Sequence, residues 1–331
     1  MRFIFRCLQQ TAPRSGLKKA SFVAFSLLLG VVYVQPTSGQ AWTRSRGEVY
    51  VRATYGRVTA AEQYTFDGRE TDFIDGLEGD TFRDRSFYAY SELGLTDDLT
   101  FVLTVPYKRT FIEDQAFRYR TFGLGTASLG LRVALPWLDG ASSALAANVG
   151  VNLPLGYTRN LTPSVGSGQA DAQIQLSYGR SFWPFPGYAQ VSAGYRYRSS
   201  VYGFSKAVDC QEGQDIDCIQ DRKPDFENEF LYSFEAGLTP LGGGLLLQVK
   251  ANGTTSIREP IIGFTAINPV PTRQRFFKIG VGGAIYPFAL AKAERLTTLG
   301  LSAEYYVTPQ GRNTIDSRDL FVALEYRRQL F

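Results

Sequence analysis

Few side chains in this sequence are suited to chemistry, because the 331 residues include no histidine. Histidine is the commonest general acid and base in enzymes, so many catalytic mechanisms are excluded. Two cysteines, Cys210 and Cys218, lie close together and predict a disulfide, with two free thiols or an incomplete metal site as the alternatives. Carboxylates that could bind Ca²⁺ surround this pair, although such a group is also typical of solvated loop charge. They are Asp209, Glu212, Asp215 and Asp217. We predict no metal site and no cofactor.

Charged residues of both signs recur at every second position in segments whose other residues are apolar. In one segment Glu229, Ser233 and Glu235 alternate with Phe230 and Phe234. Successive side chains of a β-strand point to opposite faces, so this period of two predicts strands with one polar and one apolar face.

The same reading predicts about twelve strands, most of them longer than the five or six residues typical of soluble proteins. A tilted strand needs about 9–11 residues to cross a bilayer, which these lengths satisfy. The predicted strands are 47–58, 84–95, 99–110, 122–135, 144–155, 169–182, 187–199, 226–239, 244–256, 274–287, 296–308 and 318–331.

The connections between the predicted strands alternate between short turns and long polar loops. The turns at 96–98 and 184–187 are short, whereas 59–83, 200–225 and 257–273 are long. This asymmetry is typical of outer-membrane barrels. A soluble β-sandwich explains the alternation but neither the strand lengths nor the loop asymmetry. We therefore predict an all-β fold, a transmembrane antiparallel β-barrel of about twelve strands, with short periplasmic turns, longer extracellular loops and periplasmic termini.

The N-terminus has the features of a cleaved secretory leader. Basic residues precede an apolar run at 20–34, and small residues follow it up to Ala41. The run is shorter than the roughly 20 residues of a membrane-spanning helix. We predict a signal peptide at 1–41 and a barrel domain at 42–331, with an uncleaved anchor as the alternative.

Aromatic residues make up 14% of the chain and lie near both ends of the predicted strands. Trp183, Phe185 and Tyr286 fall near short turns, which predicts an interfacial belt. The last residue, Phe331, resembles the signal read by the barrel-assembly machinery, although its parity differs from that of the apolar residues before it.

The polar face of the predicted strands would line the lumen. A mixture of signs fits a selectivity constriction in a pore or a web of salt bridges filling a narrow barrel, and both interpretations stay open. Glu235 and Lys250, on adjacent strands, are the leading candidate pair. The predicted lumen-lining residues are Glu48, Arg52, Glu92, Lys108, Arg132, Arg196, Arg198, Glu229, Glu235, Lys250, Glu304, Glu325 and Arg327.

Several short motifs resemble those of outer-membrane proteins of the MetA-pathway phenol-degradation family, which are related in style to long-chain fatty-acid transporters. They are Ala41-Trp42, the segments 47–50 and 88–97, Phe122–Gly125 and Leu153–Gly156. Thr126 and Leu155 depart from the family pattern, which often has Asp and Thr there. The resemblance implies a channel for small hydrophobic or aromatic molecules.

Three functional hypotheses follow. The first is an outer-membrane channel or transporter for small solutes, and the second is a structural or surface-interaction protein with a filled lumen. The third, a barrel hydrolase, is disfavoured because barrel lipases and proteases use histidine. We predict a non-enzyme whose partners are outer-membrane lipid, the barrel-assembly machinery and a small-molecule solute. With a net charge of only +4 we expect no nucleic acid. The sequence does not indicate an oligomeric state.

Overall fold

A computed structural model describes residues 40–73, 81–113, 118–136, 142–160, 163–210, 218, 226–261, 273–291 and 299–330. The chain divides into two units, Met1–Tyr33 and Val34–Phe331, and the description concerns the second. The predicted leader therefore lies almost wholly outside the described residues and stays a prediction. No helix in the described part of the chain is long and apolar enough to span a membrane.

The described residues form fourteen strands, which build one antiparallel sheet. The strands are β1 (Glu48–Tyr64), β2 (Glu70–Asp72), β3 (Phe82–Thr96), β4 (Leu99–Glu113), β5 (Arg118–Leu124), β6 (Thr126–Ala134), β7 (Ser143–Pro154), β8 (Asp171–Ser181), β9 (Gly187–Arg198), β10 (Glu229–Leu238), β11 (Leu245–Ser256), β12 (Arg275–Ile285), β13 (Leu299–Arg312) and β14 (Thr314–Gln329). Two short helical elements are described in full, a 3₁₀ turn at Leu241–Gly243 and one α-helical turn, α1, at Pro287–Leu290.

The sheet closes on itself because its first and last long strands pair. β1 pairs with β14 from Glu48↔Gln329 to Thr59↔Arg318, and a bulge precedes a second paired stretch from Glu62 to Tyr64. Closure pairs the edges that would otherwise be open, which a sheet in lipid requires. β2 forms only a short hairpin on β1, and β5 and β6 are consecutive parts of one wall strand beside β4. The barrel therefore has twelve wall strands, which confirms the predicted fold class.

The interruption between β5 and β6 has a local cause. Opposite it on β4 lies Pro106, which has no N–H to donate, and its carbonyl accepts the N–H of Gly125 at 2.9 Å. A Cβ on Gly125 would lie 3.2 Å from the Pro106 side chain and from the Val165 carbonyl oxygen. A larger residue would therefore be crowded where the loop after β7 passes the wall.

Each wall strand has an apolar face and a polar face, and the apolar face is the exposed one. On β14, Leu320, Val322 and Leu324 are exposed, whereas Ala323 and Glu325, which have the other parity, are buried. Burial of the charged face and exposure of the aliphatic face is the arrangement of a barrel in lipid.

The two ends of the barrel differ. At the turn end, β3 and β4 are joined by 97–98, β8 and β9 by 182–186, and the N-terminal segment enters. At the loop end lie the longer connections, including 155–170, which folds against 199–206. β1 continues to Tyr64, six residues beyond its predicted end at 58, because the backbone of residues 62–64 still pairs with β14.

A charge on the exposed face tests whether that face contacts lipid. Val249→Arg, near the middle of β11 and exposed, should lower the free energy of unfolding in phospholipid bilayers by about 2–4 kcal/mol. The control Gln310→Arg, an exposed residue near the loop end of β13, should cost about 1 kcal/mol or less. Equal costs in urea titrations would contradict a lipid-facing wall.

Candidate functional site: the barrel interior

The structure places all thirteen predicted lumen residues on the polar, inward face, and each forms at least one ion pair within 4.0 Å. They form separate groups at different heights in the barrel.

The central group connects five strands. Lys250 on β11 lies 3.4 Å from Glu235 on β10 and 3.1 Å from Glu304 on β13. Arg52 on β1 lies 2.6 Å from Glu304 and 3.6 Å from Glu325 on β14. The predicted pair of Glu235 and Lys250 thus belongs to a chain of alternating charges. Low-dielectric surroundings strengthen these attractions but make any unpaired member costly.

The turn-end group is organised by Arg44, which precedes β1. Its Nε lies 2.5 Å from Glu92 Oε2, and its Nη1 lies 3.1 Å from Glu48 Oε1. Arg132 and Arg327 complete the group, at 3.0 Å from Glu92 and Glu48 respectively. Burial alone disfavours the charged form of Arg44, but Glu92 and Glu48 outweigh it and raise the pKa of the guanidinium above its ordinary value.

Arg44 belongs to a segment, residues 40–47, that lies inside the turn end of the barrel. Side chains of the wall donate hydrogen bonds to its carbonyls, Arg132 to Trp42 at 2.9 Å and Asn148 to Gln40 at 3.2 Å. The Arg44 N–H donates to Thr100 Oγ1 at 2.7 Å. Backbone hydrogen bonds join Gly47 to the wall, from its N–H to the Gly94 carbonyl and from Leu330 N to its own carbonyl, and Glu48 N donates to the Ser45 carbonyl. Side chains take part in the other described hydrogen bonds of residues 40–46, so these residues occupy the mouth without being a strand of the sheet.

Two glycines in the wall make room for the N-terminal segment. A Cβ on Gly94 would lie 2.0 Å from the Ser45 carbonyl oxygen, and one on Gly179 would lie 2.4 Å from the Trp42 ring. The Trp42 ring also meets Tyr188 edge-to-face, with centroids 6.0 Å apart. A side chain at position 94 would displace the backbone of the segment, and one at position 179 would displace the Trp42 ring.

A third charged group lies toward the loop end. Glu229 on β10 accepts from Arg196 at 3.0 Å and from Arg198 at 2.9 Å, and Arg198 also reaches Asp171 at 2.8 Å. Lys108 forms a separate pair with Asp84 at 2.9 Å. Another pair of this kind joins Lys278 to Asp319.

Two loops pack together over the loop end of β7–β9. The N–H of Gly156 donates to Phe204, and Lys206 donates to Tyr157 at 2.9 Å. The Tyr157 hydroxyl accepts from Gly168 N at 2.7 Å, and burial raises the pKa of this phenol above its ordinary value. Both loops are therefore tied to the wall and to each other.

The predicted disulfide between Cys210 and Cys218 is present in the second of these loops. The Asn160 amide lies 3.6 Å from both sulfur atoms and donates to Val208 O at 2.6 Å. The disulfide is thus fastened to the first loop through one buried side chain. Of the four neighbouring acids only Asp209 is among the described residues.

The sequence prediction missed Arg44 and the inward-facing tyrosines whose hydroxyls donate to the interior glutamates. Tyr286 donates to Glu325 at 2.9 Å. The other hydroxyl-to-carboxylate bonds are Tyr90 to Glu92 at 2.5 Å, Tyr188 to Glu235 at 2.6 Å and Tyr306 to Glu304 at 2.7 Å. The prediction that Tyr286 belongs to an interfacial belt was wrong, because this residue is buried inside. Tyr90 lies two residues from Glu92, and Tyr306 lies two residues from Glu304, so each tyrosine faces the same side of its strand as the glutamate. This spacing in the sequence could have revealed both tyrosines.

An aromatic cluster lies on the inner wall among the charged groups. Phe321 meets Tyr88 and Tyr306 edge-to-face, with centroids 6.3 Å and 6.0 Å apart. Glycines make room for it, since a Cβ on Gly56 would lie 2.8 Å from Phe321 and one on Gly280 would lie 2.4 Å from Tyr306. The interior thus offers aromatic as well as charged surface.

Comparison with known proteins supports the fold. No protein-family model and no curated protein matches the chain. Among solved structures, the COG4313 outer membrane channel from Pseudomonas putida F1 is similar, with 15% identity, a TM-score of 0.65, and coverage of 89% of this chain and 100% of that one. The translocator domain of the autotransporter NalP from Neisseria meningitidis has 12% identity, a TM-score of 0.45 and coverages of 84% and 87%. The CymD monoaromatic hydrocarbon channel has 8% identity, a TM-score of 0.41, and coverage of 87% of this chain and 89% of that one. These low identities concern the fold alone, and the two lower scores carry no functional argument.

The central group predicts a large cost for removing one carboxylate. Glu304→Gln keeps the shape but leaves Arg52 and Lys250 undercompensated, so the free energy of unfolding should fall by about 3 kcal/mol. The exposed control Asp72→Asn should change it by less than about 0.5 kcal/mol. Comparable values for both variants would show that the group is hydrated and contributes little.

Proposed function

We propose that this protein is an outer-membrane channel for small solutes, closed at its turn end by residues 40–47. The observation that carries the proposal is that this segment occupies the mouth of a barrel whose sheet closes without it. Because side chains hold residues 40–46 to the wall, their departure would break no strand pairing. In this proposal the turn end and both termini face the periplasm and the loops face outward, after export by the predicted leader and insertion by the barrel-assembly machinery.

The proposed solute class is small, neutral and aromatic or hydrophobic. The aromatic cluster of Tyr88, Tyr306 and Phe321 supports it, because aromatic rings favour edge-to-face contact with a passing ring. The charged groups are already neutralised by pairing, so the wall offers little net field to attract ions. The resemblance to the phenol-degradation family and to fatty-acid transporters points to the same class.

A filled, structural barrel is the second candidate. The dense internal pairing favours it, since every predicted lumen charge has a partner. The two candidates differ in one property, which is whether the N-terminal segment can leave.

Loosening the segment tests the channel. Arg44→Gln removes the pairs with Glu92 and Glu48, while Arg132 and Arg327 still compensate those carboxylates. Loss of about 3 kcal/mol of anchoring raises the population of the displaced segment about 100-fold. We expect frequent openings in planar bilayers for Arg44→Gln and none beyond wild type for Arg46→Gln, an exposed residue of the same segment. A silent, folded Arg44→Gln barrel would favour the structural candidate.

The solute class is tested in the Arg44→Gln background. Adding Phe321→Ala should slow vesicle uptake of phenol-sized aromatic solutes about tenfold, since a lost ring contact is worth about 0.5–1.5 kcal/mol beyond its area. Uptake of a polar solute of equal size should not fall. Phe230→Ala, on the exposed face, is the control and should leave both rates unchanged. Equal slowing of both solutes would contradict aromatic selectivity.

A further inference from the structure

Three arginines form a row on the exposed face of the barrel near its loop end. Arg57 on β1 is directly opposite Arg85 on β3, and Arg85 is directly opposite Arg109 on β4. All three are exposed. We call Arg57, Arg85 and Arg109 the arginine row.

The arginine row has no counter-ion in the described part of the chain. No carboxylate there lies within 4.0 Å of these guanidinium groups, although acids are near in sequence. Asp84 points inward to Lys108, and Glu113 pairs with Arg118 and Arg83. Like charges directly opposite on neighbouring strands destabilise a sheet, so the row is unfavourable unless an anion is placed against it.

The row sits at a defined height on the wall. On each of its three strands the residue two positions closer to the turn end is an exposed aromatic, namely Tyr55, Phe87 and Tyr107. The first two rings are in contact, with centroids 5.2 Å apart. Aliphatic residues follow still closer to the turn end, such as Val51 on β1. Interfacial aromatics lie at headgroup level, and two strand residues span about 6.6 Å, so the row lies in the headgroup layer itself.

The row is confined to one side of the barrel. β5 extends it with the exposed Arg120, whose guanidinium lies 5.9 Å from the Phe122 ring. On the β14 side the next exposed arginine, Arg318, lies near the carboxylate of Asp316, and carboxylate oxygens of Glu62, Glu70 and Asp316 lie within 4.8 Å of one another. Among the described residues, arginines without a nearby carboxylate are therefore concentrated on β1, β3 and β4.

We propose that the arginine row binds the phosphate groups of the glycolipid that forms the outer leaflet of the outer membrane. Guanidinium groups bind phosphate oxygens in pairs of parallel hydrogen bonds, and three adjacent ones match a headgroup bearing more than one phosphate. The aromatic residues below contact the first part of its acyl chains. The proposal rests on the outward orientation of the loop end in the proposed function, but not on conduction.

The test uses the purified full-length barrel in phospholipid nanodiscs and titrates lipopolysaccharide with bisphosphorylated lipid A. Arg57→Gln/Arg85→Gln/Arg109→Gln should weaken binding about 100-fold, since each arginine contributes about fivefold near a charged surface. The matched control Arg46→Gln/Arg180→Gln/Arg328→Gln removes three exposed arginines at the turn end and should leave the affinity within about twofold. Dephosphorylated lipid A should bind wild type as weakly as intact lipid A binds the row variant.

Three results would overturn the proposal. They are equal weakening by the two triple variants, equal binding of dephosphorylated lipid, and equal competition by phosphatidylglycerol, which would make the row a general anionic-lipid surface. Thermal unfolding in detergent without glycolipid checks folding, and the row variant should be at least as stable as wild type because repulsion is relieved. Conductance of Arg44→Gln in glycolipid-free bilayers is independent of the row, so failure of the channel and failure of this site are distinguishable.

Discussion

The pairing of β1 with β14 is the constraint on which the rest of this structure depends. It removes the two edges of a sheet that lipid would not tolerate, and it divides every strand into a face toward lipid and a face toward the interior. Once the ring is closed, charges such as Glu304 and Arg52 have no route to bulk water along the wall. They must therefore find partners across the interior, and the ion-paired groups are the consequence of closure.

The same closure leaves the N-terminal segment outside the sheet. The sheet satisfies its own backbone groups, so residues 40–46 are left to side-chain contacts centred on Arg44 and on the ring of Trp42. Gly94 and Gly179 carry no side chain where the segment passes. A mouth filled by a peptide that is not part of the closed sheet is the physical basis of the proposed channel. On the outer face, the arginine row has no carboxylate partner among the described residues, and this is the basis of the proposed glycolipid site.

The barrel was predictable because alternation is a local property of the chain. The polar phase around Glu229 and Glu235 and the length of each segment indicate strands without knowledge of their neighbours. The geometry of the interior could not be predicted, because its contacts join residues that are far apart in sequence. Arg44 precedes the periodic region, and no pattern ties it to Glu92. The tyrosines were missed for a different reason: Tyr286 is apolar enough for an interface and polar enough for a carboxylate, and only its position inside the ring decides.

Gly94→Val tests the central claim most directly, because it acts through shape and leaves every charge in place. The new side chain would occupy the position of the Ser45 carbonyl, while valine is well suited to strand β3. Single-channel conductance of this variant in planar bilayers should show stable open levels that wild type lacks, in a barrel that remains folded by gel mobility and circular dichroism. A folded Gly94→Val barrel with the wild-type conductance would contradict the claim that residues 40–47 close a channel.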